Sequence, residues 1–414
     1  MRAVEAADPA RALRNQLVAH PFPQIGAGGR TILIAIGKAA PAMLAEALKH
    51  VHGPHVALAV SHYENTMDVP EATVLRAAHP VPDENGLNAG KRVIDHLSTA
   101  RVSDQVIALI SGGGSALVPA PVAGITLQDK AALNQILLGS GLDINTMNLI
   151  RQQVSQLKGG GFLRHAAPAP VTAYILSDVI GDDLRAVASG PTVSPIGTPD
   201  EARTICIEAN IWQDLPVSVR EHFDRKTSDA PSILAGTNYL IGSNRQSLSA
   251  ALRAVSDEFD AAIVSDQLVG DVEAAANTIV QAFEQSPKTQ PRALLFGGET
   301  TVQIRGSGLG GRNQELALRV AQLMKQRDDQ VDWAFLSGGT DGRDGPTQAA
   351  GGLVDNDTIK SISKAGLNVD DMLANNDSFH ALQAADHLLT TQATGTNVAD
   401  IQCLLFRPTD EPHP

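Results

Sequence analysis

Short apolar runs that stop on glycines, each with a helical pattern behind it, constrain this 414-residue chain more than any other feature. Thr31–Ile36 ends at Gly37-Lys38, and residues 41–50 continue as a helical pattern. Residues 56–60 and 74–77 read as further short strands, the second running into His79-Pro80-Val81-Pro82-Asp83. Residues 104–110 break at Ser111-Gly112-Gly113-Gly114-Ser115, and Val171–Leu176 breaks at Ser177-Asp178. Strands without polar alternation are buried on both faces, which predicts a largely parallel α/β sheet covered by helices. The second half repeats the habit at 239–241, 262–264, 293–296, 302–305 and 333–336, with Gly297-Gly298-Glu299-Thr300 and Ser337-Gly338-Gly339-Thr340-Asp341 among its loops. In parallel sheets ligands sit beyond the carboxyl ends of strands, where most of these loops fall.

The length suits two domains of about 200 residues each. We place their boundary near residue 235, after the polar stretch 224–231, giving domains 1–235 and 236–414. Aromatic residues are only 3% and the net charge is −13, which argues against a nucleic-acid footprint. An anionic small molecule would have to be drawn in by a few local cations and helix N-termini. Cys206 and Cys403, alone and far apart, read as ordinary buried thiols. Residues 1–20 have no apolar signal core, and no stretch approaches the roughly 18 apolar residues that span a bilayer. The expectation is a soluble cytoplasmic protein with no membrane partner.

Several loops have the makings of chemistry. Three glycines after a strand at Gly112, Gly113 and Gly114 let successive N–H groups face one concavity, and Ser111 and Ser115 add hydroxyls. An oxyanion cradle and a plain tight turn both fit. Lys38 sits at a strand-to-helix junction, but Ile32 and Ala39 fail the Walker pattern. Gly306, Gly308 and Gly311 match G-x-G-x-x-G, with Asp332 about 20 residues on. A nicotinamide site is one reading. Asp332 begins a strand rather than ending one, however, and Arg312 at a helix N-terminus suits an anion, so polyphosphate binding is favoured. Asp178, Asp182 and Asp183 cluster after a strand, and Asp341 and Asp344 lie among glycines. Mg2+ takes one or two such carboxylates with phosphate oxygens and water; helix capping is the competing role. His62, His79 and His380 offer no zinc pair, and there is no G-x-S-x-G elbow.

The ordered set is more specific than any member. Gly37-Lys38-Ala39, His79-Pro80-Val81-Pro82-Asp83, Ser111-Gly112-Gly113-Gly114-Ser115, Lys158-Gly159-Gly160-Gly161, Ser177-Asp178 with Ser189-Gly190-Pro191-Thr192, Gly311-Arg312-Asn313-Gln314-Glu315 and Gly339-Thr340-Asp341-Gly342 follow one another along the chain. In this it resembles the class II glycerate kinases, which carry a C-terminal domain called MOFRL. The resemblance implies two α/β domains, each a mainly parallel sheet flanked by helices, the first Rossmann-like and the second MOFRL-type. It also implies an ATP- and Mg2+-dependent glycerate 2-kinase with its site in the cleft between them. Lys38 and Arg312 would be the essential cations, with Asp341 as the third catalytic residue. Ser111, Gly112, Gly113, Gly114, Ser115, Asp178, Asn313 and Glu299 would bind substrate or phosphate, with Asp178 and Asp341 as candidate metal ligands. Glycerate and ATP are the expected partners, and a homodimer is left open. Two departures fall on the rim: Gln392-Ala393 in the Thr391–Asn397 turn, and Gln348 where an acid is common.

Overall fold

The computed structural model describes residues 1–225, 235–327 and 331–409. It divides into two compact units, Pro9–Ile241, and Met1–Asp8 with Gly242–Pro414. The polar stretch on which the boundary near 235 was placed falls largely within 226–234, outside the described residues.

The first unit is built on strands β1 (Thr31–Ile36), β2 (His55–His62), β3 (Thr73–Ala77), β4 (Gln105–Ile110), β5 (Val171–Leu176) and β6 (Thr237–Gly242). Their order is β3-β2-β1-β4-β5-β6, and the pairings from β3 through β5 are parallel. Every residue of β1, β4 and β5 is buried, as continuous apolar strands in a two-faced sheet require. Ile32, Ile34, Val106 and Ala108 pack with Leu97 and Phe162 from the flanking helices. Burying each large apolar side chain contributes roughly 1.5–3 kcal/mol.

A second, helical core of this unit gathers Leu133, Leu137, Ile150, Val154, Cys206 and Phe223. Its helices have explicit starts. Thr126 and Asp129 form a reciprocal capping box for Leu127–Gly139, and Asp143 accepts from the N–H groups of Asn145 and Thr146 at the head of Ile144–Gln153. Cys206 is buried, and burial pushes its thiol up to about 11, an inert thiol as expected.

The second unit carries β7 (Asp260–Ser265), β8 (Gly270–Asp271), β9 (Arg292–Gly298), β10 (Thr300–Thr301), β11 (Val331–Gly339), β12 (Gly351–Asp355), β13 (Leu388–Leu389) and β14 (Asp400–Pro408). Its main sheet runs β13-β12-β11-β14-β9-β7. Only β7 and β9 pair parallel; the other pairings are antiparallel. The α/β class with two sheets stands, but this sheet is mixed where a mainly parallel one was expected. Apolar runs report burial on both faces, and strand direction leaves no mark in them. The last strand, β14, lies antiparallel between β9 and β11, so those two still point the same way.

Residues 302–305 form no strand; the short strand is β10, one step earlier, paired with β8. The helix Arg2–Ala6 belongs to this unit, with Ala3 against the cluster of Leu248, Leu295 and Ile401. Thr396 Oγ1 donates to the Ala7 carbonyl at 2.6 Å. Phe283 and Phe406 meet edge to face in the main core, 4.9 Å between ring centres. Among the described residues no helix is long and apolar enough to cross a membrane.

Candidate functional site

In the first unit the chain leaves β1 for β2 on one side, while β4 lies on the other, so the carboxyl ends of β1 and β4 flank a topological switch point. The two loops there are laced together. Ser111 N–H donates to the Ile36 carbonyl at 2.9 Å, Lys38 N–H to the Gly112 carbonyl at 2.9 Å, and Ala39 N–H to Ser111 Oγ at 3.1 Å. Gly37, at φ +127°, lies where a Cβ would come within 2.4 Å of the Ser111 carbonyl oxygen. Only glycine permits that approach.

The same close packing gathers functional side chains. A Cβ on Gly112 would sit 2.0 Å from Asp178 Oδ2, and one on Gly113 would sit 3.2 Å from both the Lys38 stem and the His79 ring. Lys38, Asp178 and His79 therefore surround the glycine loop. Burial raises the Asp178 carboxyl above its ordinary value, against the pull of the Lys38 ammonium. Burial, then Lys38 and His62, push His79 down to about 4, so its imidazole is neutral near pH 7. The Ser111 hydroxyl oxygen accepts the Ala39 N–H, which ties the two loops together without using the O–H that a ligand would take. Ser115 Oγ accepts from Lys158 Nζ at 2.5 Å and lies 3.0 Å from Ser189 Oγ. Gly114 opens the four-residue helix Gly114–Leu117.

In the second unit the register brings Gly298, Asp400 and Gly339 side by side at one edge of the sheet. Arg312, the first residue of the helix Arg312–Lys325, reaches this edge. It binds the buried Asp400 with two bonds, Nε to Oδ2 at 2.6 Å and Nη2 to Oδ1 at 3.0 Å, while Nη1 lies 2.7 Å from Glu299 Oε1. Burial alone would lower the guanidinium pKa, but the two carboxylates outweigh it and raise it. Asp341, half-buried, holds the Arg343 N–H on Oδ1 at 3.0 Å.

Two expected ligands also have partners within the protein. Asn313 accepts from Ser337 Oγ at 2.6 Å and donates its N–H to Asp344 at 3.1 Å. Asp344 also accepts the Gln314 N–H at 2.8 Å, so a buried carboxylate occupies the positive end of this helix. Burial raises the Asp344 carboxyl, opposed by those backbone bonds. Glu299, expected on the substrate, faces Arg312.

The glycine fingerprint is also structural. The N–H groups of Arg305 and Gly306 go to Asn376 Oδ1, that of Ser307 to Asn375 Oδ1, that of Gly308 to the Asn375 carbonyl and that of Leu309 to Asp377 Oδ1. A Cβ on Gly306 or Gly308 would fall within 2.5 Å of Asn375. The glycines are there to let this loop lie against 375–377, and the N–H groups that a polyphosphate or a dinucleotide needs are taken.

The structure thus assembles Lys38, Asp178 and the glycine loop in one unit, and Arg312, Glu299 and Asp341 near one sheet edge in the other. Asp400 had been missed; an acid opening an otherwise apolar strand was its one signal. No cluster of three or more His, Cys, Asp or Glu side chains suited to a metal ion occurs among the described residues. Asp178, whose carboxylate lies against Gly112 of the glycine loop, supplies the kind of oxygen that a hard cation bringing its own phosphate oxygens would take.

Comparison with known proteins bears on what this arrangement serves. Residues 1–224 match the family described as domain of unknown function DUF4147, and residues 292–400 match the MOFRL family. The chain is 36% identical over 412 residues to D-glycerate 2-kinase of Thermotoga maritima, covering 97% of this chain and 95% of that one. The chain belongs to the class II glycerate kinase family. Glycerate 2-kinase of Pyrococcus horikoshii is 37% identical over 421 residues, covering 96% of this chain and 94% of the relative. The crystal structure of the Thermotoga maritima glycerate kinase superposes with a TM-score of 0.88 at 35% identity, covering 97% of this chain and 96% of that one. A solved structure therefore shares this fold along nearly its whole length.

Proposed function

We propose that this protein transfers the γ-phosphoryl group of ATP to D-glycerate, giving 2-phosphoglycerate and ADP. What carries the reading is the full-length likeness to glycerate 2-kinases, joined to a switch-point loop that sets Lys38 and Asp178 around Gly112 and Gly113.

Phosphoryl transfer asks a protein for in-line positioning and for positive charge at the equatorial oxygens. Lys38, its stem against Gly113, offers an ammonium at the glycine loop, and Arg312 offers a guanidinium already oriented by Asp400. Asp341 orients the attacking hydroxyl and takes its proton as the oxygen–phosphorus bond forms and the ADP oxygen leaves. Asp178 would hold Mg2+, whose chemistry would be to neutralise phosphate charge. The further expectation, one site to which both units contribute, is carried by the resemblance alone.

The test is a coupled assay with D-glycerate, ATP and Mg2+, read through enolase and pyruvate kinase with and without phosphoglycerate mutase. Signal without the mutase is the expected result. Signal only with it would move the transfer to the 3-hydroxyl. No signal, with consumption of NAD(P)H on hydroxypyruvate, would overturn the kinase reading.

A further inference from the structure

A cavity of about 340 Å3 lies wholly within the first unit, at the seam between the glycine loop and the helical core. One end is formed by His79, Gly113 and Ser115; the walls are apolar, from Pro119, Leu133 and Val154 among others. Three cations line it: Lys130 in the first turn of Leu127–Gly139, Arg151 in the last turn of Ile144–Gln153, and Lys158 at the head of its three glycines. No aspartate or glutamate lines the cavity, and none pairs with these cations among the described residues.

Their partners are all neutral. Lys158 Nζ donates to Ser115, Lys130 Nζ to the Val154 carbonyl at 3.3 Å, and Arg151 to Asn134 at 2.5 Å and Asn148 at 3.4 Å. Arg151 Nε is buried with no partner at all. Like charges sequestered without a counterion are costly, and such groups are normally paired. The arrangement also runs against composition, because the chain holds 45 acidic residues to 32 Lys and Arg. Lys158, buried, and Lys130 and Arg151, half-buried, gathered without one acid, leave a negative charge to be supplied from outside.

We propose that this cavity is a binding site for a small organic anion, whose carboxylate or phosphate oxygens lie among Lys130, Arg151 and Lys158. The pocket volume is within the range of small-molecule sites, and the apolar wall suits a carbon skeleton. Burial, then Arg151, lower Lys158 to about 7, and burial, then Lys158 and Arg151, take Lys130 well below its ordinary value. Both shifts are those of cations lacking their counter-charge. The cavity shares Gly113 and Ser115 with the loop expected to bind substrate or phosphate, so the proposal extends that site to Lys130, Arg151 and Lys158, and it stands on binding whether or not the protein proves to phosphorylate glycerate.

Calorimetry with D-glycerate, 2-phosphoglycerate and ADP separates the sources of the oxyanion. Lys130→Met and Lys158→Met should each weaken the same probe at least tenfold, with ligand-free melting temperatures no lower than the parent's. Whichever probe is lost names the source. All three probes binding within twofold of the parent would overturn the site. A second measurement avoids substitution. Acetylation of Lys130 and Lys158 by acetic anhydride, followed by mass spectrometry in the unaltered protein, should be slowed at least threefold by one of the probes. If no probe slows it, the cavity is not an anion site. Loss of binding in a protein that also lacks kinase turnover still supports the site, so the two readings fail separately.

Discussion

Arg312 and Lys38 share the expected role of phosphoryl cation, but their surroundings make them different residues to remove. Arg312 is locked by two bonds to Asp400, a carboxylate whose side chain is only 1% exposed, while its own is 34% exposed. Arg312→Ala would strand a buried carboxylate, so about 2 kcal/mol of stability should go with it, discounted for that exposure. Asp400→Asn in the same chain should return part of the loss, because the amide needs no counter-charge. Lys38 has no hydrogen-bonded dependant of that kind: its backbone holds the loop, through Gly112 and the bonds its carbonyl accepts from Ser61 and Asn65, and its side chain acts on Asp178 only through space, with no ion pair among the described residues. Lys38→Ala should therefore keep the parent's urea midpoint and lose roughly a thousandfold in turnover. Equal loss of stability in both variants, or turnover within tenfold of the parent in Lys38→Ala, would refute this division of labour.

At the scale of elements, local sequence was informative wherever a strand ended in glycines. β1 and β5 have the bounds the apolar runs give, and the loops after them hold the side chains expected there. Two things were not legible. The direction of strands in the second sheet depends on where β14 inserts, and that is settled by pairing between residues far apart in sequence. The fingerprint at 306–311 read as a ligand loop because spacing records only that a backbone must come close to something; the something is 375–377. Likewise the helix Arg312–Lys325 has no capping side chain of its own, its N-cap being Gly311. Its cap comes from Asp344, some thirty residues on. Asp344→Ala should cost about 1–2 kcal/mol, the usual worth of a lost N-cap. Asp344→Asn, whose amide oxygen can still accept, should cost less. A urea series that ranks the two variants equal would mean that the carboxylate does not cap this helix.

For the whole molecule, the cation pocket writes itself into the dependence of global stability on pH. Lys158 titrates near 7 in the folded protein and at about 10.5 when unfolded. Below pH 7 both states carry the charge, and the folded state bears the full cost of holding it without a counterion. Between pH 7 and 10.5 the unfolded chain binds more protons than the folded one, so this group makes stability rise with pH. The titratable neighbours lining the cavity are Lys130, Arg151 and His79, and His79 titrates near 4, below this window. The net charge of −13 acts the other way, since self-repulsion grows as further protons leave. The total curve therefore mixes two trends, but the difference between Lys158→Met and the parent isolates one. The variant's advantage should be greatest near pH 6 and shrink steadily from pH 7 towards 10. A saturating anion that fits the pocket should reduce it at pH 6, because the ligand supplies the missing charge and stabilises the parent by mass action. Urea midpoints that keep the two proteins a constant distance apart from pH 6 to 10 would show that Lys158 is charged throughout, with a counterion the protein already provides.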